Sequence, residues 1–352
     1  MAKIKRHKTK TVNIGGVKIG GDNPVAIQSM TNTPTKNTAQ TISQIKDLEK
    51  AGCEIIRVAV PDLESGRVLG KIKKNIEIPL VADIHFSAPI ALEALKQGVD
   101  KLRINPGNFP EKDLKKIVDL AKDKNTPIRV GVNAGSLEKK FLQKHGQANS
   151  EAMAESALES IKKMENLGFD NLVVALKASD IHRTVRAYEL LAQKANYPLH
   201  LGITEAGTEF SGTIKSSIGL GHLLLQGLGD TLRVSLSADP AKEVKVAWEI
   251  LRSLELRSRG VRIISCPTCA RASINVAELA KQVEQITAHI DKPLKIAVMG
   301  CVVNGPGEAG ETDLAVVGAG KKAMIITGGK NKKLIEKKDA LVELEKEINK
   351  LL

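Results

Sequence analysis

Between residues 26 and 254 the chain alternates short β-branched and aliphatic runs with longer stretches whose apolar positions recur at helical spacing. The short runs are AIQSM (26–30), EIIRVAV (54–60), PLVADI (79–84), DKLRIN (100–105), PIRVGVN (127–133), NLVVAL (171–176), PLHLGI (198–203) and TLRVSLS (231–237). Between them lie amphipathic stretches such as Thr41–Ala51, Ala88–Gln97, Glu111–Lys124, Ser150–Leu167, Asp180–Ala195 and Ala241–Leu254. Eight strands, each followed by a helical segment, predict an α/β fold, a (β/α)8 TIM-type barrel. An open doubly wound sheet is the alternative. It carries fewer strands and a glycine-rich fingerprint after the first one, whereas here the first strand runs into SMTNT. Ahead of the barrel, KTVNIGGVKIG (10–20) predicts a β-hairpin turning at Gly15 and Gly16.

After Arg259 and Gly260 the rhythm changes. VRIIS (261–265), KIAVMG (295–300), DLAVVG (313–318) and AMIITG (323–328) predict strands. Ser273–Ile290 predicts a helix capped by Ser273, and Leu334–Leu351 a second helix with Leu341, Leu344, Ile348 and Leu351 on one face. The expected organisation is a barrel over residues 1–258 and a small α+β domain over 259–352.

Composition sharpens this picture. The hydrophobic share is 42% but the aromatic share only 2%, so the core must be aliphatic, as in parallel barrels. No apolar run reaches membrane-spanning length, and the basic N-terminus has no apolar stretch behind it, so a cytoplasmic protein without membrane contact is expected. In a reducing compartment a Cys-x-x-Cys points to metal or redox chemistry rather than a structural disulfide. The net charge of +13 suits an anionic substrate, an acidic protein partner, nucleic acid, or simply a solvated lysine surface. Scarce aromatics argue against stacking on single-stranded bases, and no nucleic-acid partner is expected.

In a barrel of this type the C-terminal strand ends build the site. Those ends carry Arg57, Asp83 and His85, Arg103, Arg129 and Asn133, Lys177, Glu205 and Arg233. One arginine inside an apolar run is ordinarily a structural ion pair. Several on neighbouring strands are costly to bury unless an anion neutralises them, and a phosphorylated substrate would do so. Glu205 reads equally as an ion-pair partner or as a general acid or base.

Three of the four cysteines cluster late in the chain: Cys266 and Cys269 in Cys-Pro-Thr-Cys, and Cys301 in MGCVVNGPGE. Three thiols are one short of a four-thiolate centre. Cys53 belongs to the opposite face of the barrel and reads as a small buried residue. His289, late in a helix, would complete a zinc site only poorly. Glu308, beyond an Asn-Gly-Pro-Gly turn, is a candidate fourth ligand; a carboxylate is displaceable and would leave one iron open. A non-redox barrel enzyme for a phosphorylated substrate, with a structural zinc domain, remains the competing reading.

These segments together resemble the 4-hydroxy-3-methylbut-2-enyl diphosphate synthase family of the non-mevalonate isoprenoid pathway. The likeness is carried by IQSMTNT, EIIRVAVP, ADIHF, KLRINPGN, RVGVNAGSLE, LKASD, GITEAG, RVSLSADP, ISCPTCAR and MGCVVNGPGEA. It implies a [4Fe-4S] cluster on Cys266, Cys269, Cys301 and Glu308. It implies reductive opening of 2-C-methyl-D-erythritol 2,4-cyclodiphosphate, with electrons from reduced flavodoxin or ferredoxin. By matching segment, Arg57, Arg103, Arg129, Asn133 and Lys177 would hold the diphosphate, Glu205 would transfer a proton, and Asn304 would approach the substrate. It further implies a homodimer in which one subunit's cluster domain closes over the partner's barrel.

Overall fold

A computed structural model describes residues 4–352. It divides into two compact units, one ending at Arg257 and the other spanning Ser258–Leu352.

The first unit is the barrel. Its eight strands are Ala26–Met30, Ile55–Ala59, Leu80–Asp83, Lys101–Ile104, Ile128–Asn133, Leu172–Lys177, His200–Leu201 and Thr231–Leu232. All pair in parallel, each with its neighbour in sequence, and the eighth pairs with the first. A parallel bridge between Val174 and Leu199 closes the ring. The seventh and eighth strands are shorter than their apolar runs. Arg233 still donates to the Leu201 carbonyl at 3.0 Å, but beyond it both chains leave the ladder for the loops at the barrel's C-terminal end.

Strand pleat decides which side chains enter the barrel. Ile27, Ile56, Val58, Leu102, Val130, Val174 and Leu232 belong to the core shared with the surrounding helices. Their alternates, among them Gln28, Arg57, Asp83, Lys101, Arg103, Arg129, Lys177 and His200, therefore point inward, and all are buried. The N-terminal part of the interior is apolar. There Ala26, Ile55, Val81 and Val173 pack with Val12, Ile14 and Ile19 of the hairpin, whose strands Val12–Ile14 and Val17–Ile19 turn at Gly15 and Gly16. The hairpin plugs one end of the barrel, and the charged residues occupy the rest.

The second unit is a five-stranded sheet. Strands Val261–Ser265, Leu294–Met299 and Leu314–Ala319 run parallel, and Lys322–Thr327 and Asn331–Glu336 continue the sheet antiparallel. Helices Val276–Thr287 and Ala340–Leu351 cover one face, with Val276, Val283, Leu344 and Ile348 packed on Ile296, Val298, Leu314 and Val316.

Two details differ from the sequence expectation. The first helix starts later, at Val276, because Asn275 is its cap and accepts from the Glu278 N–H at 3.2 Å. Ser273 instead donates through its N–H and its hydroxyl to the Gly300 carbonyl, at 2.8 and 3.4 Å. The segment from Asn331 to Glu336 is an edge strand, not the start of the last helix. Lysines on both of its sides hide the strand period, so ladder hydrogen bonds rather than burial define it.

Candidate functional site

Asp83 is the one carboxylate among the inward residues named above. Arg103 Nη1 donates to its Oδ1 at 3.0 Å, while Arg57 Nε and His85 Nε2 each lie 3.6 Å from a carboxylate oxygen. Burial alone would raise its pKa, but Arg57, Arg103 and Arg129 outweigh burial and hold the carboxyl well below the usual range. His85 accepts from Arg103 Nη1 at 2.8 Å, and burial together with Arg103 lowers the imidazole's pKa. Gly131 leaves room for this cluster: a Cβ there would stand 2.8 Å from Arg103 Nε.

The remaining cations have no such anion. Arg129 is 1% exposed, and its Nε and Nη1, with Arg103 Nε, are buried without a hydrogen-bond partner. Lys177 Nζ lies 3.4 Å from His200 Nε2, and His200 Nδ1 lies 2.8 Å from Thr231 Oγ1. Lys101 Nζ donates to Gln28 Oε1 at 3.1 Å. Burial first, and repulsion from Arg129 second, pushes Lys101, Lys177 and His200 toward their neutral forms. Arg57 is lowered to about 10, again by burial against the pull of Asp83. Arg233 is separately paired with Glu243 at 3.3 Å. Unpaired buried donors and cations each cost on the order of several kcal/mol, a cost that an anion with many oxygens would offset.

Asn133 and Glu205 stand where the chain leaves the barrel. Asn133 ends its strand, half-buried. Glu205 is exposed in the loop after the seventh strand, with φ of +52°, a left-handed backbone that costs a non-glycine residue about 1 kcal/mol.

In the second unit, Cys266 and Cys301 follow the C-terminal ends of two neighbouring parallel strands, Val261–Ser265 and Leu294–Met299. The Gly300 N–H donates to Cys266 Sγ at 3.1 Å, and the two Ser273 bonds tie the loop after Cys269 to the same Gly300. The Arg271 N–H lowers the exposed Cys269 thiol toward thiolate. Asn304 is exposed just before the short helix Gly305–Ala309, which carries Glu308. Among the described residues no three His, Cys, Asp or Glu side chains converge closely enough to enclose a metal ion. Cys53 is buried, its thiol pushed up to about 12 by burial, and it donates to the Ile55 carbonyl. His289 lies before strand Leu294–Met299, at the end of the sheet away from the cysteines.

Comparison with known proteins is decisive. The GcpE TIM-barrel domain matches residues 9–248 and the GcpE protein C-terminal domain residues 262–350. The chain belongs to the GcpE family. A relative from Caldanaerobacter subterraneus subsp. tengcongensis, named 4-hydroxy-3-methylbut-2-en-1-yl diphosphate synthase (flavodoxin), is 54% identical over 99% of both chains. Relatives of the same name from Thermodesulfovibrio yellowstonii, 51% identical over 99% of this chain and all of that one, and Geobacter sulfurreducens, 50% identical over 98% of each, are similar throughout. Among solved structures, dihydropteroate synthase from Stenotrophomonas maltophilia aligns with a TM-score of 0.51 at 15% identity, over 70% of this chain and 98% of that one. Type I 3-dehydroquinate dehydratase from Clostridium difficile aligns with 0.51 at 16%, over 70% and 98%. These two share the barrel fold alone.

Within this GcpE chain the structure gathers Arg57, Arg103, Arg129 and Lys177 in the barrel interior. Sequence reading passed over Lys101 and His200. The signal was present: Lys101 lies two residues before Arg103, so an inward Arg103 requires an inward Lys101. Glu243, on helix Pro240–Ser253, gave no local signal that it would meet Arg233.

Proposed function

We propose that this GcpE chain is an oxidoreductase that opens 2-C-methyl-D-erythritol 2,4-cyclodiphosphate reductively to 4-hydroxy-3-methylbut-2-enyl diphosphate. Two electrons and the matching protons enter, the carbon–oxygen bond to the ring phosphate breaks, and one hydroxyl leaves as water. The observation that carries the reading is the buried cation set around Arg129, whose free Nε and Nη1 are donors awaiting phosphate oxygens. Arg57, Arg103, Arg129 and Lys177 hold the diphosphate, and Asn133 orients it from the rim. Asp83 fixes Arg57 and Arg103 in place. Glu205, exposed at the same end of the barrel, moves the proton, and Asn304 positions substrate beside Cys301.

Cys266, Cys269 and Cys301 with Glu308 fit a [4Fe-4S] cluster. The Gly300 N–H on Cys266 Sγ and the thiolate-favouring Arg271 N–H on Cys269 are the hydrogen bonds such sulfurs take. When bound, the cluster would supply the electrons and, because the Glu308 carboxylate is a displaceable ligand, a Lewis-acidic iron for substrate oxygen. Reduced flavodoxin, which the relatives' names carry, is the donor, and the working form is a homodimer.

Protein prepared without air tests this. It should hold about four irons and four sulfides per chain, as one cubane requires, and turn the cyclic diphosphate over only with a reductant. Stoichiometric zinc, or turnover without electrons, would overturn the reading.

A further inference from the structure

Residues 321–338 hold seven lysines, at 321, 322, 330, 332, 333, 337 and 338, against one carboxylate, Glu336. In the rest of the second unit acidic residues slightly outnumber basic ones, so its positive charge sits on this hairpin. Strand pairing divides the lysines into two groups. Ala319, the last residue of a parallel strand, pairs with Lys322, which pairs with Glu336. Lys321, Lys322, Lys337 and Lys338 therefore lie at the end of the sheet where Cys266 and Cys301 leave it. Lys330, Lys332 and Lys333 lie at the opposite end. Lysines along an edge strand commonly serve only to block edge-to-edge pairing. That account covers Lys332 and Lys333, but not four exposed lysines flanking the strand ends.

The cysteine end also has relief. A groove of about 300 Å³ separates Lys337 and Lys338 from Ser273, Ile274 and Asn275, the segment that follows Cys269 and is bonded to Gly300. Ile274, Leu279 and Leu341 give it an apolar floor, and Glu278 is its one carboxylate. Asp339 stands beside the lysines without reversing their sign.

We propose that this basic rim and groove are the docking surface for an acidic electron-carrier protein. The inference rests on the flavodoxin-dependent reading above and adds the place of delivery. Paired Lys322–Glu336, at 3.7 Å and exposed on both sides, holds its lysine loosely enough to exchange partners. Charge complementarity here would act mainly on encounter rate.

The test is a matched pair of reversals in the iron-loaded full chain. Lys337→Glu with Lys338→Glu changes the cysteine end. Lys330→Glu with Lys332→Glu makes the same charge change at the far end. Reduction is followed with reduced flavodoxin and, separately, with dithionite. The first pair should slow reduction by flavodoxin about tenfold or more at low salt, the gap closing as salt screens it. Its reduction by dithionite should match wild type, and the far-end pair should stay within about twofold throughout. Equal loss in both pairs, or no loss in the first, overturns the docking surface. A wild-type protein that dithionite cannot reduce would instead overturn the underlying functional reading. Lys337→Gln with Lys338→Gln, which only removes charge, repeats the test with less strain should the reversal fail to retain iron.

Discussion

The two units solve the burial of reactive groups in opposite ways. In the barrel, Arg57, Asp83, Lys101, Arg103, Arg129 and Lys177 are buried before any ligand arrives, and β-ladder pairing fixes each one's height and direction. In the second unit, Cys269, Asn304 and Glu308 are exposed on loops and a one-turn helix, where no ladder fixes them. A phosphate pocket can be preformed because cations on neighbouring strands are held apart by the sheet. Four anionic ligands at bonding distance repel each other, so they assemble only around the ion that neutralises them. On the proposed function, substrate recognition belongs to the scaffold and redox chemistry to loops that a cluster would organise.

The most severe break in this comparison is Cys301→Ser. Losing one of three thiolates should leave iron content near background after anaerobic reconstitution and abolish turnover. The barrel, which needs nothing from the cluster to hold its cations, should bind the cyclic diphosphate as before by calorimetry. Loss of that binding as well would mean that the barrel site is not self-sufficient. Next comes Arg129→Ala, which removes a buried donor whose Nε and Nη1 have no hydrogen-bond partner and would meet the proposed diphosphate. Charge pairs of this kind cost about 2–5 kcal/mol when truncated, roughly 30- to several-thousand-fold in affinity. Iron content should not change. An affinity within about threefold of wild type would remove Arg129 from the diphosphate site.

Proton linkage sharpens the barrel side further. In the free barrel Lys101, Lys177 and His200 are pushed toward neutrality by burial and then by Arg129, with Arg57 acting on all three and Arg233 and Arg103 on Lys177. A bound diphosphate restores the charged form. Between the depressed value of Lys177 and its ordinary 10.5, binding therefore takes up protons, and affinity falls as pH rises, by at most about tenfold per pH unit for each proton. Calorimetry in two buffers of different ionisation enthalpy reads this directly. Lys101→Met should reduce the uptake, and an enthalpy independent of buffer would show that these groups do not change charge on binding.

The same contrast explains what was legible in the sequence. The barrel was readable because strand alternation is a one-dimensional rule. AIQSM and IRVGVN lie in strands almost as their patterns predict, and the arginines inside apolar runs are forced inward once their neighbours pack against helices. Lys101 and His200 follow from that same rule. The Arg233–Glu243 pair did not, because it joins a strand to a helix through space. The cysteine motifs were legible as chemistry but not as geometry. Their loops obey no period, and Asn331–Glu336 became a strand through ladder bonds that lysine-rich side chains do not announce.

The smallest expected effect tests the loop scaffold that waits for the cluster. A Cβ on Gly318 would stand 2.3 Å from the Gly300 carbonyl oxygen and 2.5 Å from Ser273 Oγ. Those atoms carry the bonds that tie the Cys269 loop to the strand end before Cys301. Backbone cannot yield as a flexible side chain does, so Gly318→Ala must shift the Gly300 peptide, at about 1–3 kcal/mol for overpacking. The shift disturbs Gly300, whose N–H donates to Cys266 Sγ. The variant should bind the cyclic diphosphate like wild type and take up iron, yet lose it to a chelator faster by about tenfold, since 1.4 kcal/mol is a factor of ten. Unchanged iron retention would mean that the cluster organises these loops by itself and the Gly300 contacts are incidental.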